Sequence, residues 1–223
     1  AIQIDSNSTY AYNWLGHISL IIEDYDKALF SFNKVIEIDN KDTYTYSRRA
    51  DFYLELEDYE KALADYTKAV ELDKDNPIRY DYRADCYIAM EDYINALKDL
   101  DKAIDLAPED PSYYNNRADF YDDQEKYDEA LKDYAKAIEI STDDWQTSRA
   151  INNSANIYWI QEKYELAIEE YTKVIDLNPD GVGFSNRGRV YQRIKEYDKA
   201  IVDLTKAIEI DKENPEGYDE RAD

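Results

Sequence analysis

Apolar and small residues recur along the chain with the spacing of paired amphipathic helices. A tyrosine followed three residues later by an alanine occurs at Tyr25/Ala28, Tyr59/Ala62, Tyr93/Ala96, Tyr127/Ala130, Tyr164/Ala167 and Tyr197/Ala200. The first three steps between these tyrosines are each 34 residues long, a period that is typical of helix-turn-helix arrays. The pattern therefore predicts an all-α chain built from one small repeated unit.

Numbering each unit from its first residue brings the six signatures into register. The units then start near residues 9, 43, 77, 111, 148 and 181. Position 8 of every unit is small, as Gly16, Ala50, Ala84, Ala118, Ala155 and Gly188. Position 20 is alanine throughout. Small residues at both positions allow two helices to approach closely, so we predict one helical hairpin in each unit.

This arrangement resembles the tetratricopeptide repeat, and the resemblance covers essentially the whole chain. It implies a right-handed superhelical solenoid of antiparallel helix-turn-helix repeats with a concave groove. We expect residues 1–223 to form a single array. Residues 1–8 match the end of a second helix and residues 215–223 match the start of a seventh first helix. We therefore expect the chain to be a fragment of a longer protein.

The period is broken once, between the fourth and fifth units. Tyr127 and Tyr164 are 37 residues apart, three more than the norm, and the additional residues fall near Ser141–Thr147. They could bend the array or present a loop. We favour a longer turn in which Trp145 packs on the adjacent hairpin, because insertions in solenoids usually lie in connections.

A charged pair recurs inside the predicted hairpins. Four units carry arginine at position 7 and aspartate sixteen residues later: Arg49/Asp65, Arg83/Asp99, Arg117/Asp133 and Arg187/Asp203. The other two units lack both members, with Leu15/Ser31 and Ser154/Glu170 instead. Because the two residues appear and disappear together, we predict a structural ion pair between the two helices of a hairpin.

The resemblance also implies where a partner would bind. The family's groove is lined mainly by first-helix side chains, and these correspond here to Tyr10, Asn13, Trp14, His17, Tyr44, Arg48, Asp51, Tyr82, Asp85, Asn116, Asp119, Asn153, Asn156, Trp159, Asn186 and Arg189. The N-terminal half of this set is aromatic and acidic. The last two units are rich in amides and basic residues, so the predicted groove changes character along its length.

Composition narrows the class of ligand. The chain has 27 Lys+Arg and 51 Asp+Glu, which gives a formal net charge of −24. Such a field repels nucleic acid and anionic lipid and attracts cationic partners. No apolar run is long enough for membrane insertion. With one histidine and one cysteine, the sequence argues against a histidine-rich metal site and a Cys/His nucleophile pair, and a Ser-His-Asp triad would have to use His17. We expect no cofactor and no catalytic site, and the compartment is left open.

These observations favour a non-catalytic protein-protein interaction scaffold. We expect it to bind a peptide or protein segment in the concave groove, with a basic or neutral segment preferred because of the acidity. One alternative is a self-associating structural scaffold that joins copies through the open ends of the solenoid. Another is a regulatory module of an enzyme that lies outside this fragment.

Overall fold

The computed structural model describes residues 8–179 and 181–211. These residues form twelve α-helices and no strand. The helices are α1 (Thr9–Ile21), α2 (Tyr25–Ile38), α3 (Thr43–Glu55), α4 (Tyr59–Leu72), α5 (Pro77–Ala89), α6 (Tyr93–Leu106), α7 (Pro111–Asp123), α8 (Tyr127–Ile140), α9 (Asp144–Ile160), α10 (Tyr164–Leu177), α11 (Gly181–Arg193) and α12 (Tyr197–Asp211). The expected all-α fold of antiparallel helix-turn-helix repeats is confirmed.

The chain divides into two compact units, Ala1–Ala107 and Pro108–Asp223. The first contains the hairpins α1/α2, α3/α4 and α5/α6, and the second contains α7/α8, α9/α10 and α11/α12. A single continuous array therefore stays a prediction. The partial repeats expected at 1–8 and 215–223 lie outside the described residues, apart from Ser8, whose side chain caps α1.

The two helices of every hairpin are joined by the same tight turn. One residue of each turn has φ between 56° and 66° although it is not glycine, namely Glu23, Glu57, Glu91, Glu125, Glu162 and Lys195. In the second hairpin the N–H of Asp58 then donates to the carbonyl of Tyr53 at 2.9 Å. Asp58 also caps α4 through its carboxylate. This repeated geometry fixes the antiparallel direction of each helix pair.

The helices of a hairpin cross at the small residues. Ala28, Ala62, Ala96, Ala130 and Ala167 are completely buried. In the first hairpin, a Cβ added to Gly16 would lie 2.6 Å from Cε1 of Phe32. No side chain fits there without displacing the Phe32 ring, so glycine is required by the close approach. The larger apolar side chains fill the core on either side of this crossing.

The fifth hairpin differs from the others at its start. Helix α9 is 17 residues long, whereas the other first helices have 13. It begins at Asp144, four residues before Ser148, and Asp143 accepts a hydrogen bond from the N–H of Trp145 at 2.7 Å. The expectation that Trp145 packs on a neighbouring hairpin is wrong, since it is 64% exposed. The additional residues extend the helix instead of lengthening the turn.

The recurring arginine and aspartate residues meet in the four hairpins that contain them. The arginine Nε and Nη2 atoms donate to the two carboxylate oxygens at 2.6 and 2.7 Å for Arg49/Asp65, 2.7 and 2.8 Å for Arg83/Asp99, 2.7 and 2.8 Å for Arg117/Asp133, and 2.8 and 2.9 Å for Arg187/Asp203. The side chains of Asp65, Asp99, Asp133 and Asp203 are all buried. This two-point geometry is the strongest form of such a pair.

The hairpins without the pair satisfy their polar groups locally. Ser154 donates to the carbonyl of Ala150 at 2.9 Å, and Ser31 donates to the carbonyl of Lys27 at 2.6 Å. A buried hydroxyl bonded within its own helix needs no partner from the second helix. The joint loss of arginine and aspartate therefore leaves no unpaired charge behind.

We expect Asp99→Asn to lower the free energy of unfolding by about 1 to 4 kcal/mol, because it leaves the half-buried Arg83 without its charged partner. Urea denaturation followed by circular dichroism measures this change. The matched control is Glu71→Gln, which removes an exposed pair with Lys68 and should cost less than about 1 kcal/mol. Equal midpoints for Asp99→Asn and the parent would contradict a stabilising role.

Candidate partner-binding site

The first helices of the N-terminal unit carry an open aromatic pocket. Tyr10, Asn13, Trp14, His17 and Tyr44 line a cavity of about 360 Å³, called here the aromatic pocket. The first four occupy positions i, i+3, i+4 and i+7 of α1 and so share one face of that helix. The rings of Tyr10 and Trp14 meet edge to face with centroids 6.2 Å apart. Tyr10 is 73% exposed and Trp14 is 52% exposed, so both are available to a ligand.

Polar contacts hold the two walls of the aromatic pocket together. The hydroxyl of Thr45 donates to Oδ1 of Asn13 at 2.7 Å, and Nδ2 of Asn13 donates to Oδ2 of Asp42 at 3.3 Å. Asp42 is also the residue that caps α3. These bonds fix α1 against the start of α3, where Tyr44 lies. The pocket is therefore preorganised before any partner arrives.

A second cavity continues from the aromatic pocket along the same helices. It measures about 460 Å³ and shares His17 with the first cavity. On its wall the guanidinium of Arg48 lies 5.2 Å from the ring centroid of Tyr44, and its Nη1 is 3.1 Å from Oδ2 of Asp51. Tyr44 thus already carries a cation on its ring face, which is the contact that aromatic rings offer to arginine and lysine.

Buried tyrosines of the second helices orient polar residues on this face. The hydroxyl of Tyr66 donates to Oδ1 of Asp51 at 2.5 Å, and that of Tyr171 donates to Oδ1 of Asn156 at 2.6 Å. Tyr134 makes the same contact with Asp119 at 2.5 Å. Desolvation of the phenol raises the pKa of Tyr171 to about 12, so the tyrosine remains a donor at neutral pH.

This link between the two helices was not predicted, although the sequence carries its signal. Every repeat with tyrosine at position 24 has aspartate or asparagine at position 9. The repeats without this tyrosine carry His17, Asp85 and Arg189 at position 9. In three repeats, position 9 therefore carries a carboxylate or amide that accepts a hydrogen bond from this tyrosine. In the other three repeats, no tyrosine stands at position 24 to make that bond.

Asp85 is the exception among the acidic residues at position 9. The buried Leu100 occupies the place of the tyrosine in its repeat, so no phenol donates to the carboxylate. Asp85 keeps contact with solvent, but the surrounding protein still removes part of its hydration. This desolvation, followed by the charges of Asp81 and Asp51, raises the pKa of Asp85 to about 7.

Tyr82 contributes less to this face than expected. Its ring centroid lies 6.4 Å from that of the buried Tyr66, and the side chain is partly covered by the core of the second hairpin. Tyr44, by contrast, is 48% exposed. Among the predicted groove aromatics of the N-terminal unit, Tyr10, Trp14 and Tyr44 are therefore easier for a partner to reach than Tyr82.

In the C-terminal unit, several predicted residues and their neighbours Arg149 and Asn152 form hydrogen bonds across three first helices. Asp119 accepts from Arg149 and, at 3.0 Å, from Nδ2 of Asn153. Asn152 accepts from Nδ2 of Asn186 at 3.1 Å. Arg149 also lies 3.4 Å from Oδ1 of Asn116. The amides of α7, α9 and α11 are thus largely engaged with one another, which leaves fewer of them free for a peptide backbone.

A cavity of different chemistry lies further along the C-terminal unit. Trp159, Arg189, Gln192, Arg193, Lys195 and Tyr197 line about 390 Å³, called here the basic pocket. The sequence prediction included Trp159 and Arg189 but missed Lys195. The signal that could have revealed Lys195 is its position in the turn, where the other five repeats carry glutamate.

Two aspartates of the ion pairs, Asp65 and Asp133, do not belong to any of these binding surfaces. Asp65 is only 6% exposed and Asp133 only 4% exposed. Neither Asp65 nor Asp133 lines the aromatic pocket, the cavity beside it or the basic pocket. Both carboxylate oxygens of Asp65 are bonded by Arg49, and both of Asp133 by Arg117. Among the predicted site residues, Asp65 and Asp133 are therefore buried interior groups rather than residues that a partner can contact.

The described part of the chain shows no cluster that indicates a metal site. No group of three or more His, Cys, Asp and Glu residues is placed there to hold a metal ion. Among the described helices, none has both the length and the apolar character that crossing a membrane requires. Cys86 is buried, and burial raises the pKa of its thiol to about 11, so it remains protonated and unreactive at neutral pH.

Comparison with known proteins identifies the class. Profiles described as tetratricopeptide repeat match residues 9–42, 43–76, 83–110, 109–180 and 182–214. The chain belongs to the tetratricopeptide repeat family. Stacked repeats of this kind form extended surfaces for binding other proteins, and the chain has the architecture of such an interaction scaffold. No curated protein sequence is matched.

Solved structures of the family have similar folds. The crystal structure of YrrB, described as a TPR protein with an unusual peptide-binding site, is 25% identical with a TM-score of 0.56, over 82% of this chain and 94% of that chain. A tetratricopeptide repeat protein from Parabacteroides merdae is 22% identical with a TM-score of 0.68, over 98% and 82%. Yeast Tom70 is 22% identical with a TM-score of 0.75, over 89% of this chain and 43% of that chain.

The environment of Asp85 makes a prediction about its ionisation. Leu100→Tyr introduces the phenol present in the second, fourth and fifth repeats, and its hydrogen bond to the carboxylate should move the pKa of Asp85 back toward the ordinary aspartate value. Leu100→Phe adds the same ring without a donor and serves as the control. A carboxyl-carbon NMR titration measures both. An equal pKa of Asp85 in the two variants would contradict an effect of the phenol hydrogen bond on this carboxylate.

The raised pKa of Asp85 also determines whether the stability of the fold rises or falls with pH. An aspartate whose pKa is raised by folding is destabilising when it is ionised, so the cost is absent below about pH 4 and develops as the pH rises toward 7. Asp85→Asn should accordingly be more stable than the parent at pH 8 and equally stable at pH 4. Urea denaturation at the two pH values measures the difference.

Proposed function

We propose that the N-terminal unit binds a cationic segment of a partner protein in the aromatic pocket and along the adjoining first helices. The observation that carries this proposal is the combination of exposed aromatic rings with acidic side chains on one surface. Tyr10, Trp14 and Tyr44 surround the aromatic pocket, and Asp51 and Asp85 follow on α3 and α5. The proposed role is binding without catalysis.

The chemistry of this surface favours lysine or arginine in the bound segment. Aromatic faces attract such cations, especially when water is excluded from the contact. The carboxylates further along α3 and α5 can pair with a second basic residue, and the net charge of −24 attracts a cationic segment at long range. Exposed Tyr and Trp side chains are also the residue types that most often dominate binding energies.

Two further observations support a peptide ligand. The aromatic pocket is held open by the Asn13, Thr45 and Asp42 hydrogen bonds, which reduces the ordering cost of binding. YrrB, with 25% identity, is described as having a peptide-binding site. A scaffold that offers a preformed groove fits an extended segment better than a small metabolite.

We expect Trp14→Ala to weaken binding of a fluorescein-labelled peptide of alternating arginine and glycine by about fivefold to thirtyfold, because the aromatic wall is lost. Fluorescence anisotropy measures the affinity. Trp145→Ala is the matched control, since Trp145 is similarly exposed but does not line the pocket. Affinity should also fall as salt increases.

A peptide in which glutamate replaces arginine provides the second control and should bind the aromatic pocket far more weakly. Equal losses in Trp14→Ala and Trp145→Ala, or equal binding of the two peptides, would contradict the proposed site. Circular dichroism of each variant separates a loss of binding from a loss of fold.

A second candidate function is self-association, favoured by the exposed apolar face of α12. Ile201 is 63% exposed and Val202 is 67% exposed. Both line a cavity of about 560 Å³ together with Phe184. Exposed apolar side chains that cluster on one helix face are typical of surfaces that associate. A second copy of the chain is the proposed occupant, since association through solenoid ends would cover such a face.

Sedimentation velocity at several concentrations tests this candidate. The parent chain should form larger species as concentration rises, and Ile201→Glu/Val202→Glu should remain monomeric because two charges would be buried in the contact. Leu166→Glu, at a 43% exposed residue of α10, is the control for added charge. Identical sedimentation of the parent and the double variant would contradict self-association through this face.

A further inference from the structure

The basic pocket combines three cations from two elements of the C-terminal unit with aromatic rings from two others. Arg189 and Arg193 come from α11, Lys195 comes from the turn that follows, and Trp159 and Tyr197 come from α9 and α12. Arg189 and Arg193 are four residues apart and therefore point from the same face of the helix. No carboxylate is among the residues that line this cavity. That composition is unexpected in a chain with 51 acidic and 27 basic residues.

Comparison of the repeats shows that these cations replace acidic or neutral residues. Position 9 is aspartate in the second, third and fourth repeats and Arg189 in the sixth. Position 15 is glutamate in the first five repeats and Lys195 in the sixth. Position 13 is apolar or acidic in the other five repeats and Arg193 in the sixth. Three changes toward positive charge thus meet in one cavity.

The charges of the basic pocket are available to a ligand. Arg189 and Lys195 form no ion pair with other described residues. The Nε of Arg193 donates to the hydroxyl of Tyr164 at 3.2 Å, and its Nη2 lies 3.9 Å from Oε1 of Glu162. Both side chains of that last contact are more than half exposed, so it is a weak pair that a ligand carboxylate can replace.

The remaining walls are suited to an apolar side chain. The ring of Trp159 packs on that of Tyr164 with centroids 5.5 Å apart, which fixes its orientation. Tyr197 is 57% exposed. Arginine fits carboxylates through a planar pair of donors, and aromatic rings beside it bind apolar or aromatic groups. A segment that combines acidic and apolar side chains satisfies both surfaces.

The negative net charge of the whole chain favours a peptide ligand over a nucleic acid. A net charge of −24 repels a long polyanion, whose binding depends on contacts with many phosphates. A short acidic segment presents few charges and can place them all within reach of the three cations. We infer that the basic pocket of the C-terminal unit binds an acidic, aromatic-containing peptide segment of a partner protein. This site is separate from the proposed cation-binding surface and has the opposite charge preference.

Fluorescence anisotropy with a fluorescein-labelled peptide of glutamate and phenylalanine tests the inference on the full chain at low salt. Lys195→Glu should weaken binding about fivefold, and Arg189→Asp/Lys195→Glu should weaken it about twentyfold or more. These variants restore residue types that other repeats carry at the same positions. Glutamate already occupies position 15 with φ of 56–59° in five turns, so the fold should be retained.

Lys132→Glu is the matched control, because it makes the same change in charge at an exposed residue of α8 in the same unit. It should leave the affinity within about twofold of the parent, since an exposed charge away from the site is largely screened. A peptide with glutamine in place of glutamate should bind at least about tenfold more weakly than the acidic peptide.

Three results would overturn the inference: no loss in Lys195→Glu, an equal loss in Lys132→Glu, or tighter binding of an oligothymidine than of the acidic peptide. Trp14→Ala separates this site from the aromatic pocket. Trp14→Ala should weaken binding of the arginine peptide and leave binding of the glutamate peptide unchanged. Failure of one proposal is therefore distinguishable from failure of the other.

Discussion

The close crossing of the two helices in each hairpin is the constraint on which the other contacts depend. Buried alanines at position 20 and small residues at position 8 let the helices approach, and at Gly16 even a Cβ would lie too near Phe32. Because the backbones are close, a side chain of the second helix can reach past the core to the first-helix face. The arginine pairs and the tyrosine hydroxyl contacts both use this short distance, and a wider crossing would leave buried polar groups unpaired.

The same closeness connects the core to the candidate binding surfaces. Tyr66 is part of the packed interior, yet its hydroxyl holds Asp51 on the outer face. Where Leu100 replaces the tyrosine, Asp85 lacks this hydrogen bond, and desolvation followed by the charges of Asp81 and Asp51 raises its pKa to about 7. One core residue therefore decides whether the carboxylate at position 9 receives a hydrogen bond from a phenol. In this fold, packing and surface electrostatics are set by the same positions of the repeat.

A repeated backbone also explains how one chain can present surfaces of opposite character. The turn and the crossing recur with little change, so substitutions at positions 9, 13 and 15 alter charge without altering the hairpin. The N-terminal unit combines Trp14 and Tyr44 with acidic neighbours, whereas the basic pocket combines Trp159 with Arg189 and Lys195. Each proposed site adds aromatic rings, which supply contact area, to charges, which select the ligand.

The sequence by itself determined the repeat, the helical hairpins and the pairing of residues that recur in step, such as Arg83 with Asp99. These features follow from local helical spacing and from comparison between units. Both can be found along the sequence without knowing which residues are close in three dimensions. Only the tertiary structure decided that the additional residues lengthen α9 and leave Trp145 exposed, that Tyr82 turns toward the core, and that Lys195 joins Arg189 in one cavity. Those outcomes depend on which side chains of different helices and turns come within contact distance. Periodicity along the chain does not specify that, because it fixes the face of a helix but not the neighbour that the face meets.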